Sequence, residues 1–425
     1  MKKLTTLTLI TLLILSSVSL LIAETSKGNT EWEKDGILHW RSKDGKFDTR
    51  LDTRIYINGT YFLDDPDNIL SNQTNLRKAR FAIKAKLWDY WKIEWDIDVA
   101  EAELVEIKDM WISYNMKNSY IKFGNFKQPL GLEELTSSRL LIFPERSMPM
   151  LAFETDRQFG LGYSKWGDMA TVPYFMQGTV FTQTLANESK SDFEKEVDET
   201  GHGAAFRLAI APEINKDLLF HGGISSVYNI PYDDSKTVDF KSEAETKNGD
   251  LEWLDTSKIK EVDHVLRYGL EGVAQYRNLH FQSEYIMTNV VRTENSTAGD
   301  ANFEGGYAML SWLLTGERRP WTKNDGEFGQ VIPKSNKTGA WELAGRYSYL
   351  NLTDENADLD SSTGRPILGG KANIYSLGLN WYANPNVKFQ LDYSMVNLNG
   401  NANSEGDYSG NYDFNYLQFM TIFFF

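Results

Sequence analysis

The chain has 425 residues, a formal net charge of −15 at pH 7 and no cysteine. The absence of cysteine excludes a disulfide framework, cysteine-ligated zinc and a thiol nucleophile. The acidic balance argues against nucleic acid as a partner, because binding to a phosphate backbone requires a basic surface.

The N-terminus is typical of a secretory signal peptide. Lys2 and Lys3 precede an apolar run from Leu4 to Ile22, and Ala23 stands at a suitable cleavage point. We expect residues 1–23 to form this signal, residues 24–46 an N-terminal segment, and residues 47–425 one folded domain. An uncleaved anchor helix is the alternative interpretation, since the apolar run is long enough to cross a bilayer.

Alternating apolar and polar residues predict about sixteen strands and no long amphipathic helix in the rest of the chain. Predicted strands cover residues 47–62, 76–87, 91–99, 105–116, 120–126, 157–166, 172–184, 202–211, 217–228, 263–276, 279–291, 303–314, 339–350, 372–382, 387–398 and 412–425. Successive side chains of a strand point to opposite faces, so each predicted strand has one apolar face and one face that meets water.

The pattern of connections favours a membrane barrel over a soluble β-sandwich. Short links such as 89–90 and 117–118 alternate with long acidic stretches at 187–200, 229–262, 293–302 and 351–371. The chain ends in Phe423-Phe424-Phe425. This aromatic end resembles the assembly signal of outer-membrane barrels, whereas a soluble protein gains little from an exposed aromatic patch. We therefore predict an all-β fold, a transmembrane antiparallel β-barrel of about sixteen strands that contacts outer-membrane lipid.

A cluster of six basic residues marks the second and third predicted strands. Four of them share the water-facing parity of residues 76–87, so they would form a ladder that a passing anion follows. The alternative is a solvated wall balanced by Glu94, Asp96 and Asp98 on the neighbouring strand. The cluster consists of Arg77, Lys78, Arg80, Lys84, Lys86 and Lys92.

Further basic residues share the water-facing parity of other predicted strands, and each of them alone is better explained as a structural partner of a lumen carboxylate such as Glu271 or Glu342. They are Arg50, Arg54, Arg207, Arg267, Arg277 and Arg346. Arginine suits phosphate as well as carboxylate, because its guanidinium binds both in a bidentate way.

Residues 127–156 form a long connection that carries Lys127, Arg139 and Arg146. If this loop folds inward, it would narrow the pore and strengthen the interaction of each fixed charge with a passing ion. A surface loop that caps a neighbouring subunit is the alternative.

Several strings resemble the phosphate-selective porin O and P family of Gram-negative outer membranes. They include LRKARFAIKAKL from Leu76, GNFKQPLGLEELTSSR from Gly124, FPERS from Phe143, WLLTGERRPW from Trp312 and LGLNWYANPNVKFQLDY from Leu377. The resemblance implies a homotrimer, an inward-folded constriction loop with Lys127, Arg139 and Arg146, and a basic lumen. It places the family's Arg-rich pair on Arg77 and Lys78. The alternation of side chains along this strand predicts that Lys78 points inward and that Arg77 stays near the rim.

These observations predict a passive outer-membrane porin for small anions, with phosphate or polyphosphate as the expected solute. A general porin for small polar solutes or oligosaccharides is one alternative, and a structural or adhesive outer-membrane protein is another. The sequence contains no nucleophile elbow, phosphate-binding loop or HExxH motif, so we expect no catalytic residues, cofactor or metal.

Overall fold

The computed structural model describes residues 29–32, 38–65, 70–101, 105–182, 200–231, 236–247, 251–402 and 410–425. The expected signal peptide, residues 1–23, lies outside the described residues. Two short strands of the N-terminal segment, Asn29–Trp32 and Leu38–Arg41, pair with each other, and the second also pairs with residues 48–51. Among the described residues, no helix combines the length and apolarity needed to cross a membrane.

Sixteen long strands form one closed sheet in the described part of the chain. Each strand pairs antiparallel with the next, and the last returns to the first with Phe424 opposite Arg54. The prediction of a closed antiparallel barrel is confirmed. The strands are β1 (Phe47–Asp64), β2 (Gln73–Leu87), β3 (Trp91–Asp98), β4 (Glu106–Met116), β5 (Ser119–Lys127), β6 (Arg157–Met169), β7 (Val172–Thr182), β8 (Thr200–Ile210), β9 (Leu218–Pro231), β10 (Val262–Tyr276), β11 (Leu279–Arg292), β12 (Ala301–Leu313), β13 (Ala340–Asp358), β14 (Pro366–Asn384), β15 (Val387–Ala402) and β16 (Gly410–Phe424).

The two faces of the barrel wall differ as the alternation predicts. On β2 and β3, Phe81 and Trp95 point outward and are 44% and 54% exposed. Their immediate sequence neighbours Arg80 and Asp96 point inward and are buried. An apolar outer face and a charged inner face are what a lipid-embedded barrel with a polar lumen requires.

The connections differ in length between the two ends of the barrel. Turns of two or three residues follow β2, β4, β6, β10 and β14, whereas the opposite end carries long connections such as 128–156 and 232–261. Two connections at the short-turn end are longer: residues 211–217, between β8 and β9, and residues 314–339. Residues 314–339, between β12 and β13, form a long segment; the predicted strands leave 315–338 as a gap, but sequence reasoning assigned that gap no structure or role.

Segments from both ends fill part of the lumen. The inner loop, residues 128–156, contains α1 (Leu132–Leu135), a 3-10 turn (Ser138–Leu140) and α2 (Met148–Phe153). Phe153 of α2 packs in one apolar cluster with Phe240 and with Ile286 of β11. The turn-end segment, residues 314–339, contains the paired two-residue strands Trp321–Thr322 and Glu327–Phe328.

Gly124 of β5 occupies a position that another residue would strain. Its φ is +132°, and an added Cβ would lie 2.2 Å from the carbonyl oxygen of Met110 and 2.6 Å from the Cα of Trp111 on β4. We expect Gly124→Ala to destabilise the barrel by about 3 kcal/mol, measured as a lower temperature for conversion of the folded gel band to the unfolded one. Gly178→Ala on β7 is the control, because no atom of the described residues, apart from its chain neighbours, lies within 4 Å of its added Cβ. Equal melting of the two variants would contradict the prediction.

Candidate functional site: a charged constriction inside the barrel

Carboxylates hold the inner loop in the lumen by capping its helices. Glu284 of β11 accepts the backbone N–H groups of Leu132 and Glu133 at 2.6 and 2.7 Å, and the Tyr307 hydroxyl donates to it at 2.5 Å. Glu245 accepts the backbone N–H of Met148, at the start of α2, at 3.0 Å. Free N–H groups at a helix start favour carboxylate acceptors, so both contacts fix the loop in place.

Arg346 of β13 ties the same loop to the wall. Its guanidinium donates to the Glu145 carbonyl at 3.0 Å and to the Glu245 carboxylate at 2.5 Å, and it lies 3.5 Å from the Glu133 carboxylate. The predicted lumen cation Arg346 is therefore occupied by partners within the protein.

The position of Arg77 corrects the sequence prediction. The register between β1 and β2 shifts so that Tyr56 lies opposite Lys78 and Ile57 opposite Leu76, which leaves Arg77 as an extra residue. Such a bulge turns two successive side chains to one face, and Arg77 binds Glu145 of the inner loop at 2.6 and 3.1 Å. The prediction that Arg77 stays near the rim is wrong. Burial raises the pKa of Glu145, but Arg77, together with Lys78 and Lys247, outweighs burial and lowers this pKa to about 2.

The rest of the predicted ladder divides into two groups. Lys78, Arg80 and Lys84 line a cavity of about 270 Å³ between the wall and the inner loop. Lys86 and Lys92 are exposed and lie opposite each other on β2 and β3, next to the short turn, where Lys86 is 3.6 Å from Asp89. These two residues do not line the cavity.

Most of the ladder's charge is paired within the wall. Arg80 donates to Asp98 at 3.0 Å, and the Lys84 ammonium lies 3.1 Å from Asp52 and 2.9 Å from Glu94. These contacts match the mixed-charge wall that was the alternative to a free basic ladder.

All three predicted loop cations line the cavity. Lys127 and Arg146 lie 3.3 and 3.2 Å from the Glu134 carboxylate. Arg146 also donates to three carbonyls of the inner loop at 3.0–3.1 Å. Arg139 differs from them, because its guanidinium lies 5.3 Å from the centre of the Phe424 ring and its buried Nε has no hydrogen-bond partner among the described residues.

Of the secondary candidates, only Arg54 lines the cavity, with its guanidinium 3.8 Å from Asp96. Arg50 is more exposed and lies 3.5 Å from Asp52. Arg207 is fully buried against Glu271 at 2.8 Å, and Arg267 donates to Asn229 at 2.6 Å. These three arginines therefore have partners within the protein. The same is true of Arg277, which binds Asp217 at the short-turn end.

Sequence reasoning missed several cavity residues. Lys122 of β5 lies 4.4 Å from the ring centre of Trp111 and 5.2 Å from that of Phe126, and Arg157 of β6 binds Asp109 at 2.6 Å. The turn-end segment adds two carboxylates that face the cavity. Lys122 shares the inward parity of its predicted strand, which could have identified it.

Charge in the cavity is mixed but predominantly positive. Nine basic and four acidic side chains line it: Arg54, Lys78, Arg80, Lys84, Lys122, Lys127, Arg139, Arg146 and Arg157, with Glu94, Asp109, Asp325 and Glu327. Within the described ranges, Lys78, Lys122 and Arg139 are the cavity cations with no carboxylate within 4.0 Å. These three side chains are the cations available to a solute.

Three wall carboxylates lie close enough to resemble a metal site. Oxygen atoms of Glu94, Asp96 and Asp109 lie within 4.8 Å of one another. Lys84 and Arg157 bind Glu94 and Asp109, however, at 2.9 and 2.6 Å. The cluster is therefore explained by charge balance with the surrounding cations.

Comparison with known proteins agrees with this architecture. The sequence profile of the family described as phosphate-selective porin O and P matches residues 52–425. Porin O of Pseudomonas aeruginosa is 26% identical over 373 residues, which cover 81% of each chain.

Solved outer-membrane structures share the fold at low sequence identity. Salmonella typhi OmpF is 12% identical with a TM-score of 0.52, over 89% of this chain and 98% of that chain. A trimer form of Vibrio cholerae OmpT is 7% identical with a TM-score of 0.51, over 89% of this chain and 99% of that chain. The closed barrel, the charged lumen and the family match lead to one conclusion: the chain belongs to the phosphate-selective porin O and P family and is an outer-membrane porin of a Gram-negative bacterium.

Proposed function

We propose that the protein is a passive channel for small anions, with phosphate or polyphosphate as the preferred solute. The observation that carries this proposal is the cavity in which nine basic side chains outnumber four acidic ones. Low-dielectric walls concentrate the field of these charges on the path. Arg and Lys donors replace part of the anion's hydration, while the wall carboxylates keep binding weak enough for release.

The residues proposed to contact the anion are those that the cavity exposes. Lys78 and Arg139 come from the predicted set, and Lys122 is added by the structure. Arg80, Lys84, Lys127 and Arg146 contribute to the field although each is paired with a carboxylate. Lys86 and Lys92 are proposed only to attract anions at the short-turn end.

The test is electrophysiology of the purified protein in a planar bilayer. We expect the reversal potential in a KCl gradient to show anion preference, and phosphate to block the chloride current in a saturable way. A large ohmic conductance with no charge preference and no phosphate block would overturn the proposal.

A general porin for small polar solutes or oligosaccharides is the second candidate. The observation in its favour is that six of the nine cavity cations lie within 4.0 Å of a carboxylate, which weakens the net field. Sugar flux that is unaffected by phosphate would support this candidate over the first.

A homotrimer embedded in outer-membrane lipid is the proposed assembly. The outward apolar face, which includes Phe81 and Trp95, supports contact with lipid, and the trimer form reported for OmpT supports the oligomeric state. Chemical crosslinking of the protein in detergent is expected to give a three-subunit product. A barrel that crosslinks only as a monomer would contradict this assembly.

A further inference from the structure

The turn-end segment presents two carboxylates to the cavity from the end opposite to the inner loop. Asp325 and Glu327 both line it, and Asp325 is exposed there. In the described part of the chain, neither carboxylate has a cation within 4.0 Å. Carboxylates on an anion path repel every anion. A preferred solute must therefore form a favourable contact with them that offsets this repulsion.

Several contacts fix these carboxylates in position. Thr322 and Glu327 lie opposite each other in a small hairpin, where Gly326 has a φ of +66° and donates its N–H to the Thr322 carbonyl at 2.8 Å. Arg207 of β8 donates to the Gly326 carbonyl at 2.8 Å, and Lys323 binds Asp168 of β6. The hairpin is therefore a rigid support for both acidic side chains.

The same cavity contains cations that lack a carboxylate partner. Lys78 is only 8% exposed, lines the cavity and has no ion-pair partner among the described residues. In the described ranges, Arg139 and Lys122 also have no carboxylate within 4.0 Å, although Lys122 interacts electrostatically at longer range with Asp325 and Glu327. Among the described residues, the cavity thus offers both cations and carboxylates that have no ion-pair partner, although Asn324 donates a hydrogen bond to Asp325 at 3.3 Å.

We propose that Asp325 and Glu327 select oxyanions that carry a hydroxyl, such as hydrogen phosphate, over sulfate and chloride. Phosphate oxygens accept hydrogen bonds from Lys78, Lys122 and Arg139, and the phosphate hydroxyl donates to a carboxylate. Sulfate has the same charge and nearly the same size near neutral pH, but it has no hydroxyl, so it faces the two carboxylates without compensation. This inference rests on the proposed anion channel and specifies which anions that channel distinguishes.

The test compares the half-blocking concentrations of phosphate and sulfate for the chloride current at about pH 8. This pH is chosen because burial and the neighbouring Asp325 raise the pKa of Glu327 to about 7, so Glu327 is mostly ionised at pH 8. Wild-type protein is expected to be blocked by phosphate at about tenfold lower concentration than by sulfate. The D325N/E327Q variant should lose most of this difference, chiefly through stronger block by sulfate.

Two further variants keep the result interpretable. Asp325→Asn alone changes an exposed side chain at the hairpin tip and should give part of the effect without disturbing the fold. Asp217→Asn removes a carboxylate that binds Arg277 at the short-turn end outside the cavity, and it should leave the ratio unchanged. Equal block by phosphate and sulfate in wild type, or an unchanged ratio in D325N/E327Q, overturns this inference and leaves the anion channel standing. Wild-type protein without anion preference overturns the proposed function itself.

Discussion

The K78Q/K122Q/R139Q variant is expected to lose most of the channel's anion preference. Among the residues that the structure describes, these substitutions remove the three cavity cations that have no carboxylate within 4.0 Å, so they break no ion pair there. A unit charge about 4 Å from an ion contributes about 1 kcal/mol even at the dielectric constant of water. The loss of three such charges should lower the anion-to-cation permeability ratio at least about tenfold, measured from reversal potentials in a KCl gradient.

The matched control removes cations that lie outside the cavity. Lys86 and Lys92 belong to the same basic cluster of the sequence, but they lie next to a short turn. The K86Q/K92Q variant should shift the permeability ratio by less than about twofold, because exposed charges at this distance are screened by salt. A triple variant with wild-type reversal potential would show that the unpaired cations do not set selectivity.

Arg346→Met is expected to release the inner loop. The substitution leaves the Glu133 and Glu245 carboxylates buried without their cation and removes the bond to the Glu145 carbonyl. Breaking a buried ion network costs about 3–5 kcal/mol. We expect a lower melting temperature and a larger, noisier single-channel current, with a smaller change in ion preference than in the triple variant.

A compensated variant separates loop anchoring from charge in the path. Adding E133Q and E245Q to R346M removes the uncompensated buried charges, and should recover most of the lost thermal stability. Arg50→Gln, at a more exposed wall position, is the control and should leave both conductance noise and melting temperature unchanged. Wild-type conductance and melting in R346M would mean that Arg346 does not anchor the loop.

Local patterns predict the wall of this protein well and its interior poorly. The strands and the inward direction of Lys78, Arg80 and Lys84 follow from alternation, which depends only on neighbouring residues. Arg77 departs from this pattern because one bulged residue shifts the parity, and nothing in the string around it marks the bulge.

Partners that lie far apart in sequence account for much of what alternation leaves open. Arg207 meets Glu271 across 64 positions and Arg346 meets Glu245 across 101, so their structural roles depend on which strands become neighbours. The turn-end segment was missed because its two paired strands have only two residues each, too few for a period to appear.

Closure of the barrel joins nearly opposite ends of the chain. β16 completes the ring on β1, and Thr53 and Phe425 exchange backbone hydrogen bonds of 3.2 and 3.0 Å. Until the final strand has been synthesised and delivered, β1 carries an edge of unsatisfied backbone groups, which is a template for aggregation. The two strands are separated by most of the length of the chain. Because contacts between such distant segments are slow to form, we expect this one to form late. Loss of the last few residues would therefore expose that edge permanently rather than merely shorten one strand.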